Sequence, residues 1–427
     1  MKWIVKPTQL KGSITIPSSK SHTIRALLIG TLAPGTSTIR RPLLTGDGAS
    51  ALGAARTLGA KTSSQGDVFT ISGRGDDYNS GGDFFDMGNS GTGTNLFTSA
   101  AALGSRKRKF DGDNSLRSRP FKHLLDALVP LGATYSRERT NGDLPFTIAG
   151  PLKGGTTTVN GVSSQYVSSL LFSCPLIKGG VTDFTVFNLQ EAPYIELTLW
   201  WLKKQGITVE YSPDFKKFHI PGDQSYKPFD MTVPADFSSA TFAATAAALT
   251  GGPITLRGLD FTDPQGDKGV FDILKTTGAT VNHVAEGVTV GATGGLKAAV
   301  MDLNPMPDSL PAMSVLACTL KGETRIVNVG HARIKETDRI VVMREELTKM
   351  GASVTETPDG LIIRTSDLRG ATVCGRDDHR VVMALALAGC VAKGETVIET
   401  AEAAAVTYPS FVEDFKALGA NIEVVKE

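Results

Sequence analysis

The sequence repeats one pattern about every 73 residues, and this repeat restricts the fold more than any other feature. Six short segments each contain a glycine before a small or apolar residue, and successive glycines are 73, 74, 72, 73 and 68 residues apart. They are LGA (58–60), LGA (131–133), QGI (205–207), TGA (277–279), MGA (350–352) and LGA (418–420). Glycine is expected at such helix ends because it accepts positive φ at low cost. The chain is therefore predicted to consist of six similar units.

A second signal recurs with the same period. Apolar, alanine-rich stretches end in a small residue and lead into a strand, as in RALLIGTLAPGTSTI, TFAATAAALTGGPITL and MALALAGCVAKGETVI. These helices carry few charges on any face and are predicted to be buried, whereas amphipathic segments such as FKHLLDALVPLGA are predicted to cover the outside. Each unit then reads as strand, helix, strand, helix, strand. Two lobes of three units are favoured over one solenoid, whose repeats usually run about 20–45 residues.

Charge and cysteine content exclude several classes of function. The 427 residues contain 44 Lys and Arg against 43 Asp and Glu, so no basic excess indicates nucleic-acid or membrane-surface binding. No apolar run has the roughly 18 residues of a membrane span, and the first residues do not resemble a signal peptide. The 4 cysteines form no CxxC pair and no zinc-ligand spacing. We expect a cytoplasmic protein with reduced core cysteines and no metal site.

Polar residues precede each predicted buried helix. The six groups are Ser18-Ser19-Lys20-Ser21, Asn89-Ser90-Gly91-Thr92, Ser163-Ser164-Gln165, Asp236-Phe237-Ser238-Ser239, Pro307-Asp308-Ser309 and Asp377-Asp378-His379-Arg380. Helix capping explains most of these residues. It does not explain Lys20 or Arg380, because a cation opposes the positive end of the helix dipole unless an anion is also present. The pattern favours ligands with phosphate and carboxylate groups. The GxxxxGK loop of nucleotide triphosphatases is absent, and Gly91-Thr92-Gly93 is a weak match to dinucleotide motifs.

Other charged residues extend this set. Arg25 follows Lys20 by five residues, and Arg119 precedes Pro120, which is predicted to open a helix at its first turn. The run 335–339 (KETDR) is either a solvated helix face or part of a site. In the second case Asp308 and Glu336 are two carboxylates among cations, an arrangement suited to general acid–base catalysis.

Ten segments together resemble the enolpyruvyl transferases, most closely the branch whose acceptor is shikimate 3-phosphate. They are PSSKSHTIRALL, GNSGTGTNLF, LRSRPFKHLLDAL, VSSQY, PYIELTL, ADFSSATF, MPDSLPAM, RIKETDRI, DDHRVVMALAL and TYPSF, in family order over nearly the whole chain. The resemblance implies a two-lobed inside-out α/β barrel with three units per lobe. Residues 1–18 and 233–427 are expected to form one lobe and residues 19–232 the other, with the active site in the cleft between them.

The resemblance also implies roles for individual residues. Lys20, Asp308 and Glu336 are expected to be catalytic: Lys20 as a cation on phosphoenolpyruvate, Asp308 as the base for the acceptor hydroxyl, and Glu336 as the acid for the methylene carbon. Phosphoenolpyruvate is expected to contact Arg119, Gln165, Arg339 and Arg380. The acceptor's carboxylate is expected to contact Ser21 and Arg25, and its phosphate is expected to contact Ser163, Ser164 and Lys335. Tyr194 is expected to lie near the acceptor's ring. Gly91 and Thr92 complete the expected substrate-binding residues.

The implied reaction is addition followed by elimination, with phosphoenolpyruvate and shikimate 3-phosphate as substrates. The acceptor hydroxyl attacks C2 while C3 gains a proton, and the tetrahedral intermediate then loses phosphate. No metal or organic cofactor is expected, and a monomer is expected from the family.

Four residues depart from the family pattern: Asn95, Glu191, His331 and Glu402. Asn95 stands where an arginine is usual, and Glu191 stands where a serine near the acceptor phosphate is usual. They leave open a paralogue with another phosphorylated or shikimate-like acceptor, including a lyase that eliminates phosphate or water. A UDP-sugar enolpyruvyl transferase is disfavoured because residues 106–119 contain no cysteine. A non-catalytic ligand-binding protein is the remaining alternative, and paired acid–base residues argue against it.

Overall fold

The computed structural model describes residues 1–139, 143–292 and 294–426, which form 24 strands and 13 α-helices. The strands are β1 (Lys2–Lys6), β2 (Gly12–Thr15), β3 (Pro34–Arg40), β4 (Lys61–Gln65), β5 (Val68–Arg74), β6 (Phe84–Asp86), β7 (Arg108–Asp111), β8 (Thr134–Arg137), β9 (Phe146–Ala149), β10 (Gly155–Asn160), β11 (Val181–Phe187), β12 (Glu210–Tyr211), β13 (Lys217–Pro221), β14 (Asp230–Thr232), β15 (Ile254–Arg257), β16 (Thr280–Val284), β17 (Gly287–Gly291), β18 (Val300–Asp302), β19 (Glu323–Val327), β20 (Ser353–Thr357), β21 (Gly360–Arg364), β22 (Thr372–Cys374), β23 (Thr396–Glu399) and β24 (Asn421–Val425).

The helices alternate between buried and outer positions along the chain. They are α1 (Lys20–Leu32), α2 (Gly46–Thr57), α3 (Gly91–Ala101), α4 (Asn114–Arg117), α5 (Lys122–Leu128), α6 (Ser164–Ser173), α7 (Ala192–Lys204), α8 (Phe237–Thr250), α9 (Val270–Thr277), α10 (Leu310–Thr319), α11 (Arg339–Lys349), α12 (His379–Val391) and α13 (Phe411–Ala417). Short 3₁₀ helices lie at Val129–Leu131, Cys174–Leu176, Gly266–Gly269, Pro307–Ser309, Gly330–Ile334 and Ala401–Val406.

The strands form six four-stranded sheets of one design. Their orders are β14-β3-β5-β4, β6-β7-β9-β8, β10-β11-β13-β12, β16-β17-β15-β2, β18-β19-β21-β20 and β22-β23-β1-β24. Each sheet contains one parallel pairing and two antiparallel pairings. A buried helix connects the two parallel strands in four sheets, whereas β2 with β15 and β3 with β14 pair strands that are distant in the chain. The sequence predicted three strands per unit, and this was wrong by one. The additional strands are short and polar, for example β4 with the sequence KTSSQ, so they lack the apolar alternation that identifies a strand.

The chain divides into two compact units. Met1–Pro17 and Pro234–Glu427 form the terminal lobe, and Ser18–Val233 form the inserted lobe. Each crossing follows an edge strand: β2 pairs in parallel with β15 in the terminal lobe, and β14 pairs in parallel with β3 in the inserted lobe. Each lobe therefore keeps three complete units, each with its own parallel pair.

Three helices lie inside each lobe, with the sheets outside. In the inserted lobe the inner helices are α1, α3 and α6, and in the terminal lobe they are α8, α10 and α12; nearly all of their residues are buried. The apolar side chains around them form a separate core in each lobe. The prediction of buried helices with few charges is confirmed, and the buried cations Lys20, Arg25 and Arg380 lie in the first two turns of α1 and α12.

Glycine and cysteine also occupy the predicted environments. The six glycines of the repeat have φ between +72° and +104°, as expected where the chain turns out of an outer helix. Cys174, Cys318 and Cys390 are unpaired and buried, and Cys374 is half-buried. Burial raises the pKa of each of the three buried thiols to about 12, which keeps them protonated. Among the helices described, none is long and apolar enough to cross a membrane.

Candidate active site

The starts of the inner helices are capped as the sequence predicted, in five cases by a side chain. The caps are Ser19 to the His22 N–H, Ser90 to the Gly93 N–H, Ser163 to the Gln165 N–H, Asp236 to the Ser239 N–H and Asp378 to the Arg380 N–H. At α10 the 3₁₀ turn Pro307–Ser309 replaces such a cap and places Asp308 before the helix. Each cap uses one backbone donor of the four available at a helix start.

Lys20 is buried at the start of α1 and pairs with a carboxylate. Its Nζ lies 3.1 Å from Asp47 Oδ2, and Asp47 is also buried, in the first turn of α2. The sequence predicted an anionic ligand beside the cation at this helix start, and the structure shows that a carboxylate of the protein, Asp47, also lies there. Asp47 was not predicted, because only the packing of α1 against α2 brings the two residues together.

Arg25, Ser21 and Tyr194 come together between α1 and α7. The buried Arg25 guanidinium donates to the Thr198 hydroxyl at 3.1 and 3.2 Å, to the Ser21 carbonyl at 3.1 Å and to the Tyr194 carbonyl at 3.3 Å. Burial lowers the pKa of Arg25 to about 10, so the side chain still carries its charge at neutral pH. Arg25, the residue predicted to bind the acceptor's carboxylate, is therefore fixed in place. Thr198, which the sequence did not single out, helps to fix it.

Gln165 is oriented by two residues of α3. Asn95 Nδ2 donates to Gln165 Oε1 at 2.8 Å, and Gln165 Nε2 donates to the Thr92 hydroxyl at 3.1 Å. Asn95 Nδ2 also donates to the Gly91 carbonyl at 3.0 Å. The sequence treated Asn95 only as the loss of a cation, whereas the structure gives it a positioning role for Gln165.

Gly91 and Arg119 are also in contact. A Cβ placed on Gly91 would lie 2.8 Å from Arg119 Nη1, so the glycine permits the guanidinium to approach the start of α3. Arg119 Nη2 also donates to Asn89 Oδ1. The prediction that Pro120 opens a helix at its first turn was wrong, because α5 begins only at Lys122.

A carboxylate from elsewhere in the chain stabilises that helix start. Asp143 Oδ2 accepts from the Phe121 and Lys122 N–H groups at 2.6 and 2.7 Å. The start of α5 thus depends on a residue 21 positions away from Lys122, which local sequence signals do not reveal.

Ser163 and Ser164 open α6, and the side chain of Glu191 lies against them. Glu191 Oε2 accepts from the Ser164 hydroxyl at 2.9 Å and from the Ser164 N–H at 3.3 Å. Glu191 is 1% exposed and has φ of +56° immediately before α7. A carboxylate beside a bound phosphate would be expected to turn away or to pair with a cation, because like charges repel. The carboxylate is turned toward the predicted phosphate ligands instead.

In the terminal lobe, one arginine joins three carboxylates. The Arg339 side chain, 0% exposed, donates from Nε to Asp378 at 2.8 Å, from Nη1 to Asp308 at 2.7 Å, and from Nη2 to Glu336 at 2.6 Å and Asp378 at 3.2 Å. Burial alone would lower the pKa of Arg339, but the charges of Asp378, Glu336 and Asp308 raise it well above its ordinary value. Asp308 and Glu336, the predicted base and acid, are therefore held on adjacent nitrogens of one cation.

Arg380 contacts the same cluster from the start of α12. Its Nη2 donates to Asp308 Oδ2 at 3.4 Å, and its guanidinium carbon lies 5.8 Å from the centre of the Phe242 ring. Within the part of the chain that the structure describes, Arg380 Nε and Nη1 have no hydrogen-bond partner. Burial tends to lower the pKa of Arg380, yet the nearby Asp308 contributes to a net rise. The charged side chain thus keeps donors that a bound oxyanion could satisfy.

The KETDR run is not a solvated helix face. Asp338 caps α11 by accepting from the Val341 N–H at 3.1 Å, so Lys335 and Glu336 precede the helix and Arg339 is its first residue. Lys335 is half-buried in this connection. Asp378 was recognised from sequence only as part of a helix start, and its bonds to Arg339 were not foreseen. Among the described residues, no group of three or more His, Cys, Asp and Glu side chains could hold a metal ion.

Comparisons with known proteins give a consistent result. Residues 4–415 match the family model described as EPSP synthase (3-phosphoshikimate 1-carboxyvinyltransferase). The chain is 48% identical over 419 residues to the 3-phosphoshikimate 1-carboxyvinyltransferase of Acetivibrio thermocellus, covering 98% of each protein. It is 47% identical over 421 residues to that of Ruminiclostridium cellulolyticum, covering 99% of each. The solved EPSP synthase of Acinetobacter baumannii superposes with a TM-score of 0.82 at 28% identity and 100% coverage of both chains. This likeness confirms the predicted fold class, the inside-out α/β barrel with three units per lobe.

Proposed function

Because the chain belongs to the EPSP synthase (3-phosphoshikimate 1-carboxyvinyltransferase) family, we propose that it transfers the enolpyruvyl group of phosphoenolpyruvate to the 5-hydroxyl of shikimate 3-phosphate, releasing phosphate. The observation that carries this proposal within the site is the attachment of Asp308 and Glu336 to the single buried guanidinium of Arg339. Addition followed by elimination needs one group that accepts the hydroxyl proton and one that protonates C3. Two carboxylates held side by side can supply these two proton-transfer groups.

We assign the proton transfers to these two residues. Asp308 accepts the proton of the acceptor hydroxyl as it attacks C2 of phosphoenolpyruvate, and Glu336 supplies the proton that C3 gains. The tetrahedral intermediate then loses one proton from C3, for which the now deprotonated Glu336 is the base, and expels phosphate as the carbon–carbon double bond re-forms. Arg339 keeps both carboxylates in place. The Nε and Nη1 donors of Arg380 are proposed to bind the negative charge of phosphoenolpyruvate. Preorganised cations of this kind stabilise developing charge without rearrangement during the reaction.

The residues of the inserted lobe are proposed to bind the substrates. Lys20 and Gln165, held by Asp47 and Asn95 respectively, serve phosphoenolpyruvate together with Arg119. Arg25 and Ser21 are proposed to bind the carboxylate of the acceptor, and Tyr194 is proposed to lie next to the acceptor's ring. Ser163 and Ser164 are proposed to serve the acceptor phosphate, and Lys335 is proposed for the same group on the family resemblance alone. A cytoplasmic location, inferred from the reduced cysteines, and a monomer, implied by the family resemblance, remain further proposals.

The activity is tested by product analysis. The protein is incubated with shikimate 3-phosphate in the presence and absence of phosphoenolpyruvate, and the products are followed by mass spectrometry and phosphate release. We expect a product heavier by the enolpyruvyl group only when both substrates are present. Loss of phosphate from shikimate 3-phosphate alone, or no product, would contradict the proposal and favour a lyase or another acceptor.

The assigned roles are tested by substitution. Lys20→Ala is expected to weaken phosphoenolpyruvate binding and lower turnover together. Asp308→Asn keeps the size of the side chain near Arg339 but removes the base, so turnover is expected to fall about 100-fold or more with little change in substrate affinity. Asp272→Asn, on an exposed face of α9, is the matched control and should behave as the unmodified protein. Unchanged turnover in Asp308→Asn would remove this residue from the mechanism.

A further inference from the structure

Glu191 occupies a position where an anion from the substrate is expected. Its carboxylate accepts both the backbone N–H and the hydroxyl of Ser164, at 3.3 and 2.9 Å. The Ser163 hydroxyl accepts from the Gln165 N–H at 3.4 Å, so Ser163 caps α6 while its neighbour Ser164 holds the carboxylate. The ten-residue helix α6 presents its positive end here, and a negatively charged group is stabilised there. The protein's own carboxylate therefore uses donors that a phosphate would use.

The position of Glu191 is fixed by its backbone. Its φ of +56° lies in the left-handed region that few residues other than glycine, asparagine and aspartate adopt, and Ala192 and Pro193 follow at once as the first turn of α7. The residue is 1% exposed, so its contact with Ser164 is not a chance surface orientation. The side chain has three rotatable bonds, however, and can swing away from α6 while the backbone stays in place.

We propose that Glu191 is a specificity-determining residue that competes with the phosphate of the acceptor for the start of α6. The phosphate binds by displacing the carboxylate from Ser164. Both anions cannot use the same N–H and hydroxyl, and their like charges oppose each other at this distance. Glu191 therefore lowers affinity for a phosphorylated acceptor and leaves affinity for an unphosphorylated one nearly unchanged. This inference rests on the proposed function, which assigns the acceptor phosphate to Ser163 and Ser164.

Helix α7 also links the two ends of the acceptor site. Beyond Glu191, the same helix supplies the Tyr194 carbonyl and the Thr198 hydroxyl that hold Arg25, the proposed ligand of the acceptor carboxylate. The effect of Glu191 is nevertheless expected to be confined to the phosphate, because the Arg25 contacts come from positions three and seven residues further along and do not involve the Glu191 side chain.

The test is a comparison of binding between ligands that differ only in the phosphate. Shikimate 3-phosphate and shikimate are titrated by calorimetry into the unmodified protein, Glu191→Gln and Glu191→Asn. Glutamine removes the charge and keeps the length, and asparagine is shorter and accepts positive φ, so the second variant protects against a folding defect in the first. Glu196→Gln, at an exposed position on the same helix, is the matched control.

We expect both Glu191 variants to bind shikimate 3-phosphate at least tenfold more tightly, with shikimate changed by less than about twofold and Glu196→Gln unchanged. A tenfold gain corresponds to about 1.4 kcal/mol. Equal changes for the two ligands, no change, weaker binding of shikimate 3-phosphate, or no saturable binding to either variant would overturn the inference. Tight, phosphate-dependent binding without enolpyruvyl product would count against the proposed reaction only, so the two failures are distinguishable.

Discussion

Replacing Arg339 by lysine tests how much the charged cluster of the terminal lobe depends on one guanidinium. The side chain is fully buried and makes four hydrogen bonds, between 2.6 and 3.2 Å, to Asp308, Glu336 and Asp378. Lysine keeps the charge but has one compact ammonium group, which cannot reproduce the planar arrangement of donors. The buried Asp378 and the partly exposed Asp308 and Glu336 would then lose part of their hydrogen bonding to this side chain.

The expected loss of stability follows from this geometry. Breaking a buried ion pair by removing one partner costs about 3–5 kcal/mol. Lysine retains part of the attraction, so we expect a loss of about 3 kcal/mol, at the lower end of that range. The terminal lobe has roughly 210 residues, and in a unit of this size each kcal/mol lowers the melting temperature by about 2–4 °C. The transition of the terminal lobe should therefore move down by roughly 6–12 °C.

Differential scanning calorimetry of the full chain measures this shift, with turnover assayed in parallel. Arg325→Lys is the matched control, because Arg325 is 57% exposed and pairs with Glu323 on the surface. Such surface pairs contribute about 0–1 kcal/mol, so the control should shift little. Arg339→Lys should also lower turnover, since Asp308 and Glu336 lose their common support. A melting shift no larger than that of the control, with normal turnover, would refute the claim that Arg339 organises these carboxylates.

Two further predictions concern the inserted lobe. Asn95→Ala removes the donor that orients Gln165. Since one hydrogen bond contributes about 0.5–1.5 kcal/mol, KM for phosphoenolpyruvate should rise about 2- to 10-fold without a matching rise for the acceptor. Steady-state kinetics with each substrate varied in turn measure both KM values, and an unchanged KM for phosphoenolpyruvate would contradict the positioning role of Asn95. His219 Nδ1 lies 2.8 Å from Asp183 Oδ1 across β11 and β13, and this hydrogen bond raises the pKa of His219 above its ordinary 6.5. The pair should therefore stabilise the fold below about pH 6.5 and lose its effect as pH rises through the folded-state pKa of His219. Asp183→Asn should lower the His219 pKa in an NMR titration and should destabilise the protein more at pH 5.5 than at pH 8.5. Equal His219 pKa values in the two proteins would contradict this prediction.

The features predicted well from sequence are those encoded locally and repeated six times. Serine or aspartate before an uncharged, small-residue helix identifies both the cap and the burial, as at Ser90 and Asp236. The glycines of the repeat likewise specify their positive φ without help from distant residues. Polar edge strands such as β4 were missed, because their pairing depends on a neighbouring strand rather than on their own apolar pattern.

The sequence pointed to candidate site residues by their type, but it did not identify the residues that hold them in place. Lys20, Arg25 and Arg339 were identified as candidates, whereas Asp47, Thr198 and Asp378, which hold them, were given no such role. Each partner lies on another element, between 27 and 173 positions away in the chain. Single-sequence patterns report helix starts and charge, and they carry no signal for contacts at such separations.

The pairing of β1 has a consequence for how the protein is made. This strand lies between β23 and β24, with Lys2 opposite both Glu399 and Val425. Its residues are thus translated nearly 400 positions before the strands with which they pair. At about 5–20 residues per second, the strand waits roughly 20–80 s on the ribosome before either neighbour exists. The inserted lobe has all its strands within Ser18–Val233 and can fold during that interval. All strands of the inserted lobe are therefore translated before the sheet that contains β1 can close.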